Sequence, residues 1–319
     1  MKVLLITHSI GDPEVVSAPG ISDQITEMGK MGVEFEIWMV RARCKRSYVV
    51  TALRILGLNF HPRRYDLIHA TYSLNGFIAL LQWKYPVIVS LLGSDLVNRD
   101  SSDLTGERDS LIGRLVAHLA KRVIVQTDEM AKAVPGDIGK VAVIPYGINT
   151  TIFHPIPVAE ARRELQLSAN KRIILFPYNP SRTEKQFHLL EKAVEKLKPE
   201  MFVQLIAVFG KPREKIAFFM NASDVMVLVS SHEGSPVAVR EALACGLPVV
   251  SVPVGDVVDL IADVDGCHIC SYDPADIAEK VKLVFGNNRR IKPPEKATAR
   301  DTKWSAARIM EVYNGAIHQ

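Results

Sequence analysis

Two carboxylates, Glu233 and Glu241, stand eight positions apart in a segment that predicts a strand, a turn and a helix. Ser235 is a residue type that caps helices, and Pro236 suits the first helical position, where its missing N–H costs nothing. Gly246 predicts the end of the helix. A helix N-terminus after a strand gathers free N–H groups and positive dipole, which binds phosphate. The pattern predicts a phosphate site beside two acids, although the spacing alone also fits a helix with two solvated acids.

This segment resembles the Glu-x7-Glu region of the retaining, family-4-type glycosyltransferases (glycosyl transferases group 1), which have the GT-B fold. The matching stretches are Glu233-Gly234-Ser235-Pro236 with Glu241-Ala242, Cys245-Gly246-Leu247-Pro248-Val249-Val250, and Gly255-Asp256-Val257. The resemblance is strong from 140 to 260 and weaker before 65. It implies that Glu241 hydrogen-bonds the ribose of the donor and that Glu233 faces the donor sugar. We expect the residues around the turn to bind the donor as well: Gly234, Ser235, Pro236 and Val237.

Two cations, Arg182 and Lys185, follow the first predicted strand of the second half of the chain. Glycosyl transfer from a nucleoside diphosphate sugar needs fixed cations or a metal ion to stabilise the departing pyrophosphate. The Asp-x-Asp sequence at 263–265 precedes a predicted strand and does not follow one, so we expect cations and no metal. The resemblance implies that Arg182 and Lys185 hold the pyrophosphate. The alternative is an exposed helix N-terminus with solubilising charges, which the helix dipole disfavours.

Glu233 and Glu241 are poorly suited to be the acid and the nucleophile of a glycosidase. Such carboxyls lie about 5–5.5 Å or 6.5–9.5 Å apart, one on each face of the sugar. Helical rise places Glu241 roughly 7–9 Å along the axis from the cap, on one side of the same ligand. The resemblance implies instead a retaining transfer in which the acceptor hydroxyl attacks from the face that the diphosphate leaves. The diphosphate then takes the proton, and no protein general base is required.

The first half of the chain is expected to carry the acceptor side of the site. His8 ends the first predicted strand, and Gly93, Ser94 and Asp95 follow a later one. Leu92 stands where relatives often place a His near the donor sugar, which leaves the transferred sugar open. The wall for the nucleotide base is expected from a shortened segment, 209–211, including Gly210 as a donor-binding residue. The donor is expected to be a UDP- or GDP-sugar, bound as a substrate, with no separate cofactor.

Buried strand patterns alternate with helical patterns in both halves of the 319-residue chain. This alternation predicts an α/β fold of two Rossmann-like, doubly wound domains, with the site in a cleft between facing sheets. The expected domains are residues 1–150, joined by about 303–319, and residues 151–302. The segment from 145 to 157 has three prolines and is interpreted as the linker. The resemblance implies that the last helix crosses back to the first domain.

Composition and missing motifs exclude other classes of protein. Hydrophobic residues make up 48% and charged residues 23%, with a net charge of +4, which is typical of a soluble globular chain. A G-x-G-x-x-G fingerprint and a Walker-type loop are both missing, so dinucleotide and P-loop functions are disfavoured. The four cysteines are too few for a disulfide framework, and the pair Cys267 and Cys270 is interpreted as core packing. Without a secretory signal or a bilayer-spanning run, a cytoplasmic location is expected.

Seven basic residues and no Asp or Glu occur between residues 37 and 65. Interleaved apolar residues would give this run a face at helical spacing. A basic amphipathic surface can lie on anionic lipid, which fits a lipid-linked glycan acceptor and a peripheral position at the inner membrane face. A solvated loop and helix is an equal alternative. Nucleic-acid binding lacks an aromatic platform and a recognisable module. The basic residues are Arg41, Arg43, Lys45, Arg46, Arg54, Arg63 and Arg64.

The sequence therefore predicts a metal-independent, retaining glycosyltransferase that builds a cell-surface polysaccharide or glycolipid. Because of Leu92 and the shortened base wall, a weakly active or non-catalytic homologue that binds sugar nucleotides stays open. A GT-B epimerase or phosphorylase, which acts without a separate acceptor, is the third alternative.

Overall fold

The computed structural model describes residues 1–9, 19–41, 44–93, 96, 104–287 and 289–318. It divides the chain into two compact units. Unit 1 is Met1–Gly147 with Thr302–Gln319, and unit 2 is Ile148–Asp301. None of the helices in the described ranges combines the length and the apolar character needed to cross a bilayer.

Unit 1 is a parallel sheet flanked by helices. Its described strands are β1 (Lys2–Ser9), β2 (Glu34–Arg41), β3 (Leu67–Thr71), β4 (Val87–Ser90), β5 (Arg122–Val125) and β6 (Val141–Val143). The spatial order is β2-β1-β3-β4-β5-β6, and each neighbouring pair is parallel. The helices are α1 (Pro19–Lys30), α2 (Lys45–Gly57), α3 (Ser73–Ala79), α4 (Leu104–Leu119) and α5 (Asp128–Ala133). Short apolar runs such as 87–90 become fully buried strands, as a sheet covered on both faces requires.

The last helix of the chain, α13 (Thr302–Ile317), belongs to unit 1. Ile309 and Tyr313 of α13 join Val3 and Met28 in one hydrophobic cluster. The Tyr313 hydroxyl lies 2.7 Å from Nδ1 of the buried His69 on β3. The expectation that the chain returns to pack its last helix on the first domain is confirmed.

Unit 2 has a second parallel sheet. Its strands are β7 (Arg172–Phe176), β8 (Val203–Ala207), β9 (Val225–Leu228), β10 (Val249–Ser251) and β11 (His268–Ile269), in the order β11-β10-β9-β7-β8. The helices are α6 (Val158–Glu164), α7 (Phe187–Leu197), α8 (Arg213–Ala222), α9 (Val237–Ala244), α10 (Val257–Ile261), α11 (Pro274–Asn287) and α12 (Glu295–Thr298). Two doubly wound parallel sheets confirm the predicted fold class.

Each sheet has a point at which the chain reverses its direction across the sheet. In unit 2 the chain runs from β7 to β8 on one side and then returns to β9 on the other side of β7. In unit 1 the same reversal separates β1 from β3. Loops diverge at the carboxyl ends of the strands on either side of such a point, and ligands bind in the crevice that they leave.

Two local expectations are resolved by the packing. The segment predicted as a linker is only partly one, because Ile148 and Phe153 are buried in the core of unit 2 and Ile148 pairs with Asp301. Cys267 and Cys270 lie in the same core, in agreement with their interpretation as packing residues. Burial raises the pKa of the Cys267 thiol to about 11 and that of Cys270 to about 12.

Candidate functional site

Lys185 and Glu233 meet at the reversal point of unit 2. Lys185 lies in the loop after β7, and Glu233 lies in the loop after the adjacent parallel strand β9. The ammonium of Lys185 donates a hydrogen bond to Glu233 Oε1, and the Ser230 hydroxyl donates to the same oxygen at 2.8 Å. Only 5% of the Lys185 side chain is exposed. Two of the three predicted catalytic residues (Glu233, Arg182 and Lys185) therefore form one buried ion pair, because neighbouring strands end at the same edge of the sheet.

A backbone contact holds the two loops together beside this ion pair. The Ser231 N–H donates to the carbonyl oxygen of Glu184 at 2.9 Å. The Tyr272 hydroxyl donates to the Ser230 carbonyl oxygen at 3.1 Å, which anchors the β9 loop from the other side. The spacing between the ammonium and the carboxylate is thus set by main-chain contacts as well as by their own attraction.

Tyr178 forms the floor beneath the ammonium of Lys185. The Nζ atom lies 4.1 Å from the centroid of the Tyr178 ring, a cation–π contact. Burial raises the pKa of the Tyr178 hydroxyl well above its ordinary value, and the charges of Glu233 and Glu241 raise it further. The phenol is therefore neutral at physiological pH, and it lies within electrostatic range of both carboxylates.

Glu241 is held by a cation that the sequence analysis did not identify. Arg213, the first residue of α8, forms an ion pair with Glu241 Oε1 at 2.8 Å. The Arg213 guanidinium also lies 4.8 Å from the ring centroid of Phe153. Glu241 lies in the middle of α9 and is buried. Its carboxylate is thus oriented by a residue from a different helix.

The start of α9 differs from the prediction. The helix begins at Val237, Pro236 occupies the N-cap position, and no side chain caps the helix. The Ser235 hydroxyl donates to Asp256 Oδ2 at 2.9 Å and accepts from Nη2 of Arg240 at 3.2 Å. Arg240 is buried and also forms an ion pair with Asp256. The prediction of a Ser235 cap was wrong, because a buried guanidinium and its partner carboxylate engage that hydroxyl.

Gly255 lets the backbone before α10 lie against the turn that carries Glu233. Its φ is +55°, and a Cβ at this position would overlap the carbonyl oxygen of Gly234 and come within 3.0 Å of its carbonyl carbon. Any other residue would displace one of the two segments. The turn at Gly234 is therefore positioned by a close main-chain approach.

The other residues predicted to bind the donor, Arg182 and Gly210, are more exposed than Lys185 and Glu233. The Arg182 guanidinium pairs with Glu184 at 2.5 Å, with about half of its side chain, 55%, exposed. Gly210 is exposed, has a φ of +62°, and follows β8, the strand on the other side of β7. Arg182 thus lies in the same loop as Lys185, but its ion pair is with Glu184. Gly210 lies on the loop after the neighbouring strand, at the same edge of the sheet.

On unit 1, His8 lies at the end of β1 among aromatic residues. Its Nε2 is 2.9 Å from the Tyr48 hydroxyl, and its ring stacks on Tyr72 at 4.6 Å between centroids. Burial lowers the pKa of His8 below its ordinary value, which favours the neutral imidazole. Tyr72 has a φ of +69°, a costly conformation for a residue with a side chain.

The other residues predicted for the acceptor side follow β4. Leu92 is half-buried there, and Gly93 is buried with a φ of +136°. Ser94 and Asp95 lie outside the described residues. In the ranges that the structure covers, no group of three or more His, Cys, Asp or Glu side chains is arranged to hold a metal ion. Asp263 of the Asp-x-Asp sequence pairs with Lys296.

The two doubly wound units, with a paired lysine and glutamate at the reversal point of the second, define a Rossmann-like α/β protein of the GT-B type. Sucrose-phosphate synthase from Thermosynechococcus elongatus shares this fold with a TM-score of 0.77 and 17% identity, over 98% of each chain. Anabaena Alr3699/HepE, solved with UDP-glucose, shares it with a TM-score of 0.72 and 16% identity, over 99% of this chain and 100% of the other.

The sequence comparisons agree with the fold. The family model described as "Glycosyl transferases group 1" matches residues 200–304, which include Glu233, Glu241 and Gly255. The D-inositol 3-phosphate glycosyltransferase of Thermobispora bispora is 25% identical, over 86% of this chain and 76% of that protein. The resemblance to the glycosyl transferases of group 1 is thus confirmed.

Sequence reasoning assigned no role to several side chains of this site, among them Tyr178, Arg213, Ser230, Arg240 and Asp256. Arg213 carried a usable signal, since a cation at the start of a predicted helix opposes the dipole, as for Arg182 and Lys185. Tyr178 follows a buried strand directly, and an aromatic residue at a strand's carboxyl end is a weaker signal. Ser230 carried no signal of its own. Asp256 was part of a stretch that resembles the family, but its partners, Ser235 and Arg240, come from another segment of the fold.

Proposed function

We propose that this protein is a retaining glycosyltransferase that moves a sugar from a nucleoside diphosphate sugar to a glycan or lipid-linked acceptor. The observation that carries the proposal is the buried Lys185–Glu233 pair at the reversal point of unit 2, next to the helix α9 that carries Glu241. One edge of the sheet carries a cation, two carboxylates and a helix N-terminus. This set fits a ligand in which a diphosphate joins a sugar to a ribose. The group 1 family match over the same residues supports the proposal.

Each donor-side residue has a proposed role. Lys185 and Arg182 bind the diphosphate, and Glu233 binds hydroxyls of the donor sugar. Glu241 accepts hydrogen bonds from the ribose, in the orientation that Arg213 gives it. The turn residues Gly234, Ser235 and Pro236, with Val237, bring main-chain groups to the donor, and Gly210 borders the base.

The reaction breaks the bond between the anomeric carbon and the diphosphate oxygen and forms a bond from that carbon to the acceptor oxygen. The acceptor proton passes to the departing diphosphate, so the charges and atoms balance without a protein base. Lys185 is positioned to stabilise negative charge as it grows on the diphosphate, which is the main catalytic contribution. Its ion pair with Glu233 gives the buried ammonium an opposite charge before the donor arrives. We propose that these cations serve in place of a metal ion.

Hydrolysis fits the geometry less well. A glycosidase needs one carboxyl that holds a proton and one that is free to attack. Here Glu233 accepts hydrogen bonds from Lys185 and Ser230, and Glu241 pairs with Arg213. Both carboxylates are therefore arranged as fixed acceptors of hydrogen bonds.

The donor nucleotide is proposed to be uridine or guanosine diphosphate. The structural neighbour Alr3699/HepE was solved with UDP-glucose, which supports uridine. A panel of UDP- and GDP-sugars tests the choice by thermal shift, since a ligand present at about 100 times its Kd stabilises by about 2.7 kcal/mol. A melting curve that none of the nucleotides shifts would contradict a nucleotide-sugar function.

Binding without turnover is the second candidate, and Leu92 is the residue that favours it, since it stands at a position where relatives often carry a His. Release of the nucleoside diphosphate from a donor that shifts the melting curve separates the two. We expect slow release without an acceptor and faster release with one. Binding that is never accompanied by release would identify a sugar-nucleotide-binding homologue.

A further inference from the structure

Helix α2 of unit 1 presents an apolar face to solvent. On its inner side Thr51 and Ile55 are buried, and Tyr48 and Ala52 pack against the hydrophobic core of unit 1. The opposite side, including the turn that follows the helix, exposes five large apolar residues: Val49, Val50, Leu53, Leu56 and Phe60. Helical spacing places Val49, Leu53 and Leu56 on one stripe of α2, with Val50 at its edge, and Phe60 follows in the next turn. A helix that is apolar on both sides has a second partner besides its own core.

Trp83 extends this exposed stripe. The backbone N–H of Trp83 donates to the side-chain oxygen of Asn59 at 3.1 Å, and the Asn59 side-chain amide donates to the carbonyl oxygen of Leu81. The turn that carries Trp83 is therefore fixed beside Phe60. Phe60 is 80% and Trp83 75% exposed, which is high for large aromatic side chains. We call the stripe together with Trp83 the α2 surface.

The charges around the α2 surface are basic. Lys45 and Arg46 lie exposed in the first turn of α2, and Arg63 and Arg64 lie exposed beyond Phe60. Neither Asp nor Glu occurs from residue 42 to 65 or from residue 67 to 94 of the sequence. Arg63 donates to the carbonyl oxygen of Lys84 at 2.9 Å, so the basic rim is joined to the turn that carries Trp83.

We infer that the α2 surface docks unit 1 on an anionic lipid membrane. Leucine, valine and phenylalanine side chains enter the boundary between headgroups and acyl chains, and tryptophan prefers that boundary. The basic rim lies at the level of the lipid phosphates. A second copy of the chain fits less well, because two basic rims would face each other without acids between them.

The surface is connected to the acceptor side of unit 1 through α2 itself. Tyr48, on the buried side of α2, has its hydroxyl 2.9 Å from Nε2 of His8. A lipid-linked acceptor held at the membrane would thus be near the carboxyl ends of the unit 1 strands. The α2 surface is defined by exposed apolar residues and basic charge alone, so membrane docking is tested separately from the proposed transfer reaction.

Flotation of the full chain with vesicles tests the inference. The probes are vesicles of phosphatidylcholine alone and of phosphatidylcholine mixed with phosphatidylglycerol. We expect flotation with the mixed vesicles, weakened by salt, and little with phosphatidylcholine alone. Leu53→Ser and Phe60→Ser should each lower the apparent affinity about 10-fold or more, since each removes a large apolar side chain from the interface. Replacing Lys45 and Arg46 together by Gln should lower it about 30-fold.

Matched controls lie on unit 2. Phe202 is 84% exposed, so Phe202→Ser removes an equally exposed aromatic residue. Lys192→Gln with Lys196→Gln removes two exposed cations of α7. Both controls should float like the parent. A parent that fails to float with anionic vesicles, or variants of the α2 surface that float as well as the controls, would overturn the inference.

A spectroscopic readout separates docking from misfolding and from self-association. Trp83 emission should shift to the blue and be quenched by brominated acyl chains, whereas Trp38 is buried and Trp304 is half-buried. Trp83→Phe should abolish the shift with flotation largely retained. A concentration-dependent dimer that Phe60→Ser dissociates, without lipid binding by the parent, would assign the surface to a second copy and refute the membrane inference.

Discussion

Lys185 donates a hydrogen bond to Glu233 from the loop after β7 to the loop after β9, with the ring of Tyr178 beneath the ammonium. The two residues are 48 positions apart in the sequence, and the strands before them are neighbours in the sheet. A buried cation is thereby held ready, with a paired carboxylate, at the point where the loops diverge.

The first prediction concerns the stability of this pair. Lys185→Met should lower the free energy of unfolding by about 3 kcal/mol, because it leaves the Glu233 carboxylate poorly compensated in a largely buried position. Adding Glu233→Gln to that variant should recover part of the loss. Urea denaturation of the two single variants and of the double variant measures the coupling. Additive losses would show that the contact contributes nothing to stability.

The second prediction concerns Arg213 as a positioning residue. Arg213→Gln should weaken donor binding about 10-fold while turnover at saturating donor stays close to the parent's, because Glu241 loses only its orienting partner. Glu241→Ala should weaken donor binding further. Steady-state kinetics of nucleotide release separates KM from kcat. A loss in kcat alone would contradict a role for Arg213 through Glu241.

The third prediction concerns the close approach at Gly255. Gly255→Ala should lower turnover at least about 10-fold and destabilise the fold by about 2 kcal/mol, because the methyl group displaces the turn at Gly234. Gly286 in α11 has open space around it, so Gly286→Ala is the matched control. The control should raise stability by about 0.5–1 kcal/mol and leave turnover unchanged. Equal behaviour of the two variants in thermal melts and nucleotide release would refute the packing argument.

The fourth prediction is a pH dependence of stability that originates at His69. Burial lowers the pKa of His69 to about 4, below the value of about 6.5 in an unfolded chain. Between these values the unfolded state binds a proton that the folded state does not. Stability is therefore complete above about pH 6.5 and falls as the pH drops toward 4, by up to about 3 kcal/mol.

His69→Gln removes the titrating group and serves as the comparison for this effect. Urea denaturation at a series of pH values between these limits should give a steeper dependence for the parent than for the variant. Parallel curves would mean that His69 does not account for the loss at acidic pH.

Much of the fold follows from local patterns in the sequence. Strands such as 172–176 and 225–228 are short apolar runs, and burial on both faces of a parallel sheet produces that signature. The position of Gly246 after α9 was equally readable, since its φ of +72° needs a residue without a side chain. These features depend on neighbours in the chain.

The candidate site was readable only in part, for a physical reason. Glu233, Glu241 and Lys185 stand out by residue type and position. Their partners depend on how segments that are distant in the sequence pack together. Arg213 reaches Glu241 from another helix, and Asp256 engages the Ser235 hydroxyl that was expected to cap α9. Likewise, the basic run from 41 to 64 suggested a membrane face, but Trp83 joins that face only through tertiary contacts. Arg43 of that run lies outside the described residues.

The central claim is that Lys185 binds the diphosphate of the donor. Calorimetric titration with uridine and guanosine mono- and diphosphates tests it most directly. The parent should bind one of the diphosphates more tightly than its monophosphate. Lys185→Met should lose about 10- to 100-fold in affinity for the diphosphate and little for the monophosphate, because a charge-assisted hydrogen bond is removed. Lys192→Met, an exposed change on α7, should titrate like the parent. Equal losses for both nucleotides, or no nucleotide binding by the parent, would contradict the account.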